Sequence, residues 1–129
     1  GIGTEKDIDT ALYYYDESAN LKNEEALIFL GDLYYTGNIV EKDVPKALIY
    51  YEQLADLGNS NALLHLGNIY YKGNYVKRDL KKASNYYKKA ANLDNSEAQL
   101  NLADLFFYGE GEVKDVNQQI NKILLHYFV

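Results

Sequence analysis

The chain offers few side chains that could do chemistry, and none stands in a catalytic arrangement. His65 and His126 are the only histidines and are far apart in sequence, which favours a solvated or locally satisfied role for each. The absence of Cys excludes a thiol nucleophile, a disulfide framework and any Cys-based metal site. The G-E-G-E segment at 109–112 lacks the glycine spacing and the Lys of a phosphate-binding loop. These residues predict neither catalysis nor a cofactor nor a metal.

The charged residues are better explained by structure than by chemistry. Asp43, Asp79 and Asp115 recur every 36 residues, which is typical of helix caps. The basic stretch at 77–89 is expected to be a solvated face, with a docking patch for an acidic partner as the alternative reading. The formal net charge of −6 argues against nucleic-acid binding, which needs concentrated Lys and Arg. No apolar run is long enough to insert into a membrane.

The spacing of these aspartates belongs to a repeat that runs through the chain. Residues 24–59 and 60–95 align with 17 identities in 36 positions, residues 96–129 begin a further, divergent copy, and residues 1–23 supply the back half of an earlier one. The chain of 129 residues begins without Met, and we expect one repeat domain, 1–129, that is part of a longer protein. The altered end of the last copy predicts either a terminal cap or a chain boundary.

Each repeat predicts two helices, called here helix A and helix B. Apolar residues at helical spacing and capping residues at their ends predict seven helices, at roughly 7–21, 24–36, 44–57, 60–72, 80–93, 96–108 and 116–128. Asn59 or Ser60 is placed to cap a helix A, and Gly73 to end it in a left-handed conformation. Gly31 and Gly67 fall mid-helix, where Gly costs about 1 kcal/mol relative to Ala, so a neighbour is expected to approach closely there. Stacked helix pairs of this kind predict an all-α fold, an α-solenoid.

The repeated pattern resembles the Sel1-like repeat, a relative of the tetratricopeptide repeat with a 36-residue unit. In the first full copy the matching residues are Ala26, Leu30, Gly31, Tyr34, Gly37, Val40, Asp43, Ala47, Tyr50, Tyr51 and Ala55. In the second they are Ala62, Leu66, Gly67, Tyr70, Gly73, Val76, Asp79, Ala83, Tyr86, Tyr87, Ala90 and Ala91. The resemblance implies a right-handed superhelix of antiparallel helix pairs that acts as an adaptor or scaffold in protein–protein interaction.

The resemblance also implies where a partner would bind. In tetratricopeptide repeats, positions 2, 5, 9 and 12 of helix A face the concave groove. Carried over by register, these positions form an acidic or amide row, an aliphatic row and an aromatic row: Glu25, Ile28, Asp32 and Tyr35; Asn61, Leu64, Asn68 and Tyr71; Glu97, Leu100, Asp104 and Phe107. Such rows suit an extended or helical peptide with basic and apolar side chains. Lys72 is the only cation expected near them.

Several alternatives stay open. Tyr35, Tyr71 and Phe107 could instead pack between repeats, and Glu25 and Glu97 could serve only the positive N-terminal ends of their helices. The whole segment could be a structural spacer or oligomerisation segment. Some cysteine-rich bacterial relatives are linked to β-lactam hydrolysis, but their repeats depend on disulfides and this chain has no Cys. The lack of Cys and of N-x-S/T acceptors favours the cytoplasm, with the ER lumen, periplasm or secretion as alternatives.

Overall fold

The computed structural model describes residues 7–108, and these residues are all-α. They form six helices of 13 residues each: α1 (Ile8–Asn20), α2 (Glu24–Thr36), α3 (Val44–Asp56), α4 (Ser60–Lys72), α5 (Leu80–Asn92) and α6 (Ser96–Tyr108). The predicted all-α class is confirmed, and each helix begins and ends within one residue of its prediction. The predicted seventh helix, 116–128, lies outside the described residues.

The residues that cap the N-termini of the helices recur with the sequence repeat. The first helix of a pair (α2, α4 and α6) follows an Asn, and the second (α1, α3 and α5) follows an Asp. The side chain of Asp79 accepts a hydrogen bond from the backbone N–H of Lys82 at 3.0 Å, and Asn59 accepts one from Ala62 at 2.9 Å. The cap of α4 is therefore Asn59 rather than Ser60. These bonds satisfy N–H groups that have no partner within the helix.

The loops between paired helices repeat as well. Gly37 and Gly73 end α2 and α4 with φ of +69° and +66°, a left-handed conformation that disfavours side chains. A Cβ on Gly73 would also lie 2.6 Å from the Cβ of Arg78. The loop closes where the backbone N–H of Asp79 donates to the carbonyl of Tyr70 at 3.0 Å. Both positions thus favour glycine for two reasons: the backbone has a positive φ there, and a Cβ would lie too close to the residue that follows in the loop.

The chain divides into two compact units, one ending at Leu57 and the other beginning at Gly58. In the first unit, α2 packs against both α1 and α3. In the second, α5 packs against both α4 and α6. Leucine, alanine and tyrosine side chains form the buried interior of both units, including Leu27, Leu30, Ala47, Tyr51, Leu63, Leu66, Ala83, Tyr87 and Leu105.

The mid-helix glycines make room for buried tyrosine rings. A Cβ on Gly31 would lie 2.6 Å from Cε1 of Tyr51, and a Cβ on Gly67 would lie 2.5 Å from Cε1 of Tyr87. Ordinary carbon–carbon contacts are about 3.5–4.0 Å, so neither ring could keep its place beside an Ala. The expected close approach is confirmed, and the approaching group is the tyrosine ring of the following helix.

Candidate binding face

The twelve residues predicted to contact a partner lie on α2, α4 and α6, and none of them is buried. We call them together the helix-A face. Tyr35, Leu64, Asn68 and Tyr71 are half-buried, and Glu25, Ile28, Asp32, Asn61, Glu97, Leu100, Asp104 and Phe107 are exposed. The four residues of each helix are therefore accessible, and the binding role of the face stays a prediction.

In the first unit, three of these residues line one open cavity of about 450 Å³. Glu25, Ile28 and Asp32 share it with five neighbours: Phe29, Leu33, Thr36, Asn38 and Ile39. The described lining thus combines two carboxylates with apolar walls and contains no cation. Its chemistry suits a side chain that has a positive end and an apolar stem.

A tyrosine from α3 holds one of the two carboxylates of this cavity, that of Asp32, in place. The Tyr51 hydroxyl donates to Oδ1 of Asp32 at 2.8 Å, and the ring reaches that position through the gap left by Gly31. Burial, together with the hydrogen bond to Asp32, raises the pKa of Tyr51 well above its usual value. Tyr51 therefore stays a hydrogen-bond donor throughout the ordinary pH range.

In the second unit, a cavity of about 310 Å³ is lined by three further predicted residues, Asn68, Tyr71 and Asp104. Its other lining residues are Lys72, Tyr87, Asn101, Leu105 and Tyr108. One carboxylate and one ammonium group lie in this lining, so their formal charges cancel. The lining of this cavity thus has two amides and one carboxylate, whereas that of the first unit has one amide and two carboxylates.

A small hydrogen-bond network organises those amides. The Tyr87 hydroxyl donates to Oδ1 of Asn68 at 2.7 Å, and Nδ2 of Asn101 donates to the same oxygen at 3.4 Å. Burial raises the pKa of Tyr87 to about 12, with smaller electrostatic contributions from the neighbouring Tyr71 and Glu97. Asn101 is not among the residues predicted from the sequence. The only sign of it in the sequence is that the residue type at this register position changes between repeats, from Phe29 and His65 to Asn101.

The aromatic row is not uniform. Tyr71 packs against the buried cluster that contains Tyr87 and Leu105, and Tyr35 makes an edge-to-face contact with Tyr51 at a ring-centroid distance of 6.1 Å. Phe107, by contrast, is 69% exposed. Packing between helices thus accounts for the aromatic residues at positions 35 and 71, but it does not account for the exposed Phe107.

The expectation that Lys72 is the only cation near these rings is wrong. Arg78 lies 5.2 Å from the ring centroid of Tyr71 and donates from Nε to that residue's carbonyl at 2.8 Å. Lys42 lies 5.7 Å from the ring centroid of Tyr35. Both cations follow the glycine that ends the first helix of the pair, so the loop brings them back over the ring.

Comparison with known proteins decides the family. A model of the Sel1 repeat matches residues 1–23, 24–59, 60–95 and 96–119. The chain belongs to the Sel1 repeat family. No curated protein matches the chain. In the part of the Sel1 repeat chain that the structure describes, no helix is both long and apolar enough to cross a bilayer.

Solved structures agree with this assignment. The Sel1 repeat protein of Oxalobacter formigenes has 32% identity and a TM-score of 0.73, with 86% of this chain and 45% of that chain covered. A protective antigen of uropathogenic Escherichia coli strains, which displays an SLR fold, has 31% identity and a TM-score of 0.73, with 79% and 22% covered. Cysteine-rich protein B of Helicobacter pylori has 29% identity and a TM-score of 0.64, with 75% and 73% covered.

These neighbours are repeat solenoids, which confirms the predicted fold class. The chain spans less than half the length of the first two. Sel1 repeat proteins are in general scaffolds for protein–protein interaction, and the family and these neighbours are typically non-catalytic.

Proposed function

We propose that this Sel1 repeat chain is a non-enzymatic adaptor that binds a segment of another protein on its helix-A face. The proposal rests on one observation: residues predicted from the repeat register line open cavities in the structure. Each unit has an open cavity, and three predicted residues line it in each case. Such cavities, with apolar walls and a few fixed polar groups, are typical of ligand sites.

The chemistry of the first unit specifies part of the partner. Glu25 and Asp32 would attract a basic side chain, while Ile28 and Phe29 would contact its aliphatic stem. We therefore propose a partner segment with basic and apolar side chains. Two further large side chains of the face are exposed, Leu100 at 61% and Phe107 at 69%, and would supply apolar contact area.

A spacer role is the alternative function, and the packing of Tyr35 and Tyr71 against core tyrosines favours it. The test is capture of a partner from a lysate of the source organism by the 129-residue chain. One variant carries Ile28→Ala, Leu100→Ala and Phe107→Ala, which truncates exposed side chains and leaves the core intact. The helix-A proposal predicts that this variant loses the partner.

The matched control truncates three exposed side chains that lie off the face. Ile49, Tyr75 and Leu93 are 57%, 47% and 48% exposed. A variant with all three changed to Ala should keep the partner, at wild-type helicity. Equal capture by both variants would place the contact elsewhere, and absence of any captured protein would support the spacer role.

A further inference from the structure

The exposed sides of α1 and α5 carry opposite charges at equivalent positions of the repeat. Helix α1 has three carboxylates and no cation, whereas α5 has four lysines and no carboxylate. We call these residues the acidic row (Asp9, Asp16 and Glu17) and the basic row (Lys81, Lys82, Lys88 and Lys89). Each acid lies two 36-residue repeats before a lysine, and the pairs are Asp9 with Lys81, Asp16 with Lys88 and Glu17 with Lys89.

Both rows are accessible to a partner. Asp9 and Glu17 are exposed, and Asp16 is half-buried where its Oδ1 accepts a hydrogen bond from the Tyr50 hydroxyl at 2.8 Å. In the basic row, Lys88 is half-buried and the other three lysines are exposed. The buried residues of α5 lie on the opposite side of that helix, namely Ala83, Ser84, Tyr87 and Ala90. The charges thus lie where a second molecule can contact them.

The helix α3 shows that the fold does not require these charges. At the register positions of the three acids it has Pro45, Glu52 and Gln53, which include one acid and no cation. It nevertheless packs against α2 in the way that α5 packs against α4. Packing within the repeat therefore does not account for a row of one sign on α1 and a row of the other sign on α5.

We propose that the chain self-associates head to tail, with the acidic row of one copy docked on the basic row of a second copy. Opposite rows attract each other, whereas two acidic rows or two basic rows would bring like charges together. The contact is therefore heterologous, because it joins different surfaces of the two copies. The inference does not rest on the proposed function, since none of these residues belongs to the helix-A face.

The spacing of the charges allows the two helices to pair in antiparallel fashion. Asp9 and Asp16 are seven residues apart, as are Lys81 and Lys88, which corresponds to about two helical turns or about 10.5 Å. Antiparallel pairing would bring Asp9 to Lys88 of the second copy and Asp16 to Lys81. Tyr13 lies midway along the acidic row and is 58% exposed, so its ring would contact the stems and ammonium groups of these lysines.

The experiment is sedimentation velocity on the 129-residue chain over a range of protein concentrations. It is run at about 0.1 M and about 1 M NaCl, because the Debye length falls from about 10 Å to about 3 Å between these two concentrations. At the lower salt we expect the average sedimentation coefficient to rise with protein concentration. At the higher salt the dissociation constant should be at least about tenfold higher, because the contact consists of several exposed charge pairs.

Two variants each remove one side of the contact. The acidic-row variant carries Asp9→Lys and Glu17→Lys, and the basic-row variant carries Lys81→Glu and Lys89→Glu; all four side chains are exposed. Each variant alone should have a dissociation constant at least about tenfold higher than the wild type, because attractions become repulsions. An equimolar mixture should form complexes of one copy of each variant with wild-type affinity, because each retains the row that the other lacks. Such complexes would also show that both variants are folded.

The matched control reverses two carboxylates on α3. Glu52→Lys and Asp56→Lys change exposed side chains and bring the formal net charge from −6 to −2, as the acidic-row variant also does. If net charge alone governed association, both variants would associate more readily than the wild type, because their copies repel each other less. We expect the control to keep self-association and the acidic-row variant to lose it.

Three results would overturn the inference. The first is a wild-type chain that stays monomeric up to about millimolar concentration. The second is self-association of the acidic-row variant equal to that of the α3 control. The third is a mixture of the two row variants that forms no complex.

Discussion

The contact between Gly67 and Tyr87 makes a sharp prediction about stability. In Gly67→Ala the new Cβ would lie 2.5 Å from Cε1 of Tyr87, about 1 Å inside an ordinary contact. The ring is 2% exposed and its hydroxyl is bound to Asn68 at 2.7 Å, so it has little room to move. The substitution therefore has two opposing effects on stability. The clash with the Tyr87 ring destabilises the fold, whereas Ala stabilises the helix because it is a better helix former than Gly.

The magnitudes decide which effect is larger. Overpacking of a core costs about 1–3 kcal/mol, and losing the hydroxyl bond adds about 0.5–1.5 kcal/mol. Replacing Gly by Ala inside a helix returns about 1 kcal/mol. We expect Gly67→Ala to lower the free energy of unfolding by about 0.5–3.5 kcal/mol, measured by urea denaturation and followed by circular dichroism.

The third repeat suggests the compensating change. It has Ala103 at the register position of Gly67 and Ile123 at that of Tyr87. Adding Tyr87→Ile should therefore make Gly67→Ala less harmful, with a coupling of at least about 1 kcal/mol in a double-mutant cycle. A Gly67→Ala variant that is as stable as the wild type, or purely additive behaviour of the two changes, would refute the packing argument.

Two further predictions concern the caps and the buried hydroxyls. Asp79→Ala removes the hydrogen bond from the N–H of Lys82 and should lower the free energy of unfolding by about 1 kcal/mol, measured in urea. Asp79→Asn keeps an oxygen that can accept this bond and should lose much less stability. An equal loss in both variants would contradict the capping role. The pKa of Tyr87 is about 12 in the folded chain and about 10 for an unperturbed tyrosine, so the unfolded chain loses this proton first and stability should fall as pH rises from 10 to 12. Urea titrations across this range should show a smaller fall for Tyr87→Phe, and an unchanged fall would exclude Tyr87 as its source.

Much of the fold could be predicted because its determinants are local and recur. The caps at Asp43 and Asp79 act on backbone groups three residues away, and Gly73 ends its helix through its own φ. The mid-helix Gly67 also signalled a close neighbour, since a residue that weakens a helix and yet recurs at the repeat period needs a packing reason. These features follow from spacing alone.

The details of the face could not be predicted in the same way, because they depend on contacts between helices that are distant in sequence. Asn101 reaches Asn68 across 33 positions, and no periodic pattern marks it. The cation contacts of Lys42 and Arg78 depend on the path of the loop. The register rule treated Tyr71 and Phe107 as equivalent, but one packs on a buried cluster and the other is exposed.

The most direct test of the central claim is the affinity of the captured partner for three forms of the chain. These are the wild type, the variant truncated at Ile28, Leu100 and Phe107, and the control truncated at Ile49, Tyr75 and Leu93. Since hot-spot truncations cost about 1–2 kcal/mol or more each, we expect a dissociation constant at least about tenfold higher for the helix-A variant and unchanged for the control. Equal dissociation constants for all three forms would contradict binding through the helix-A face.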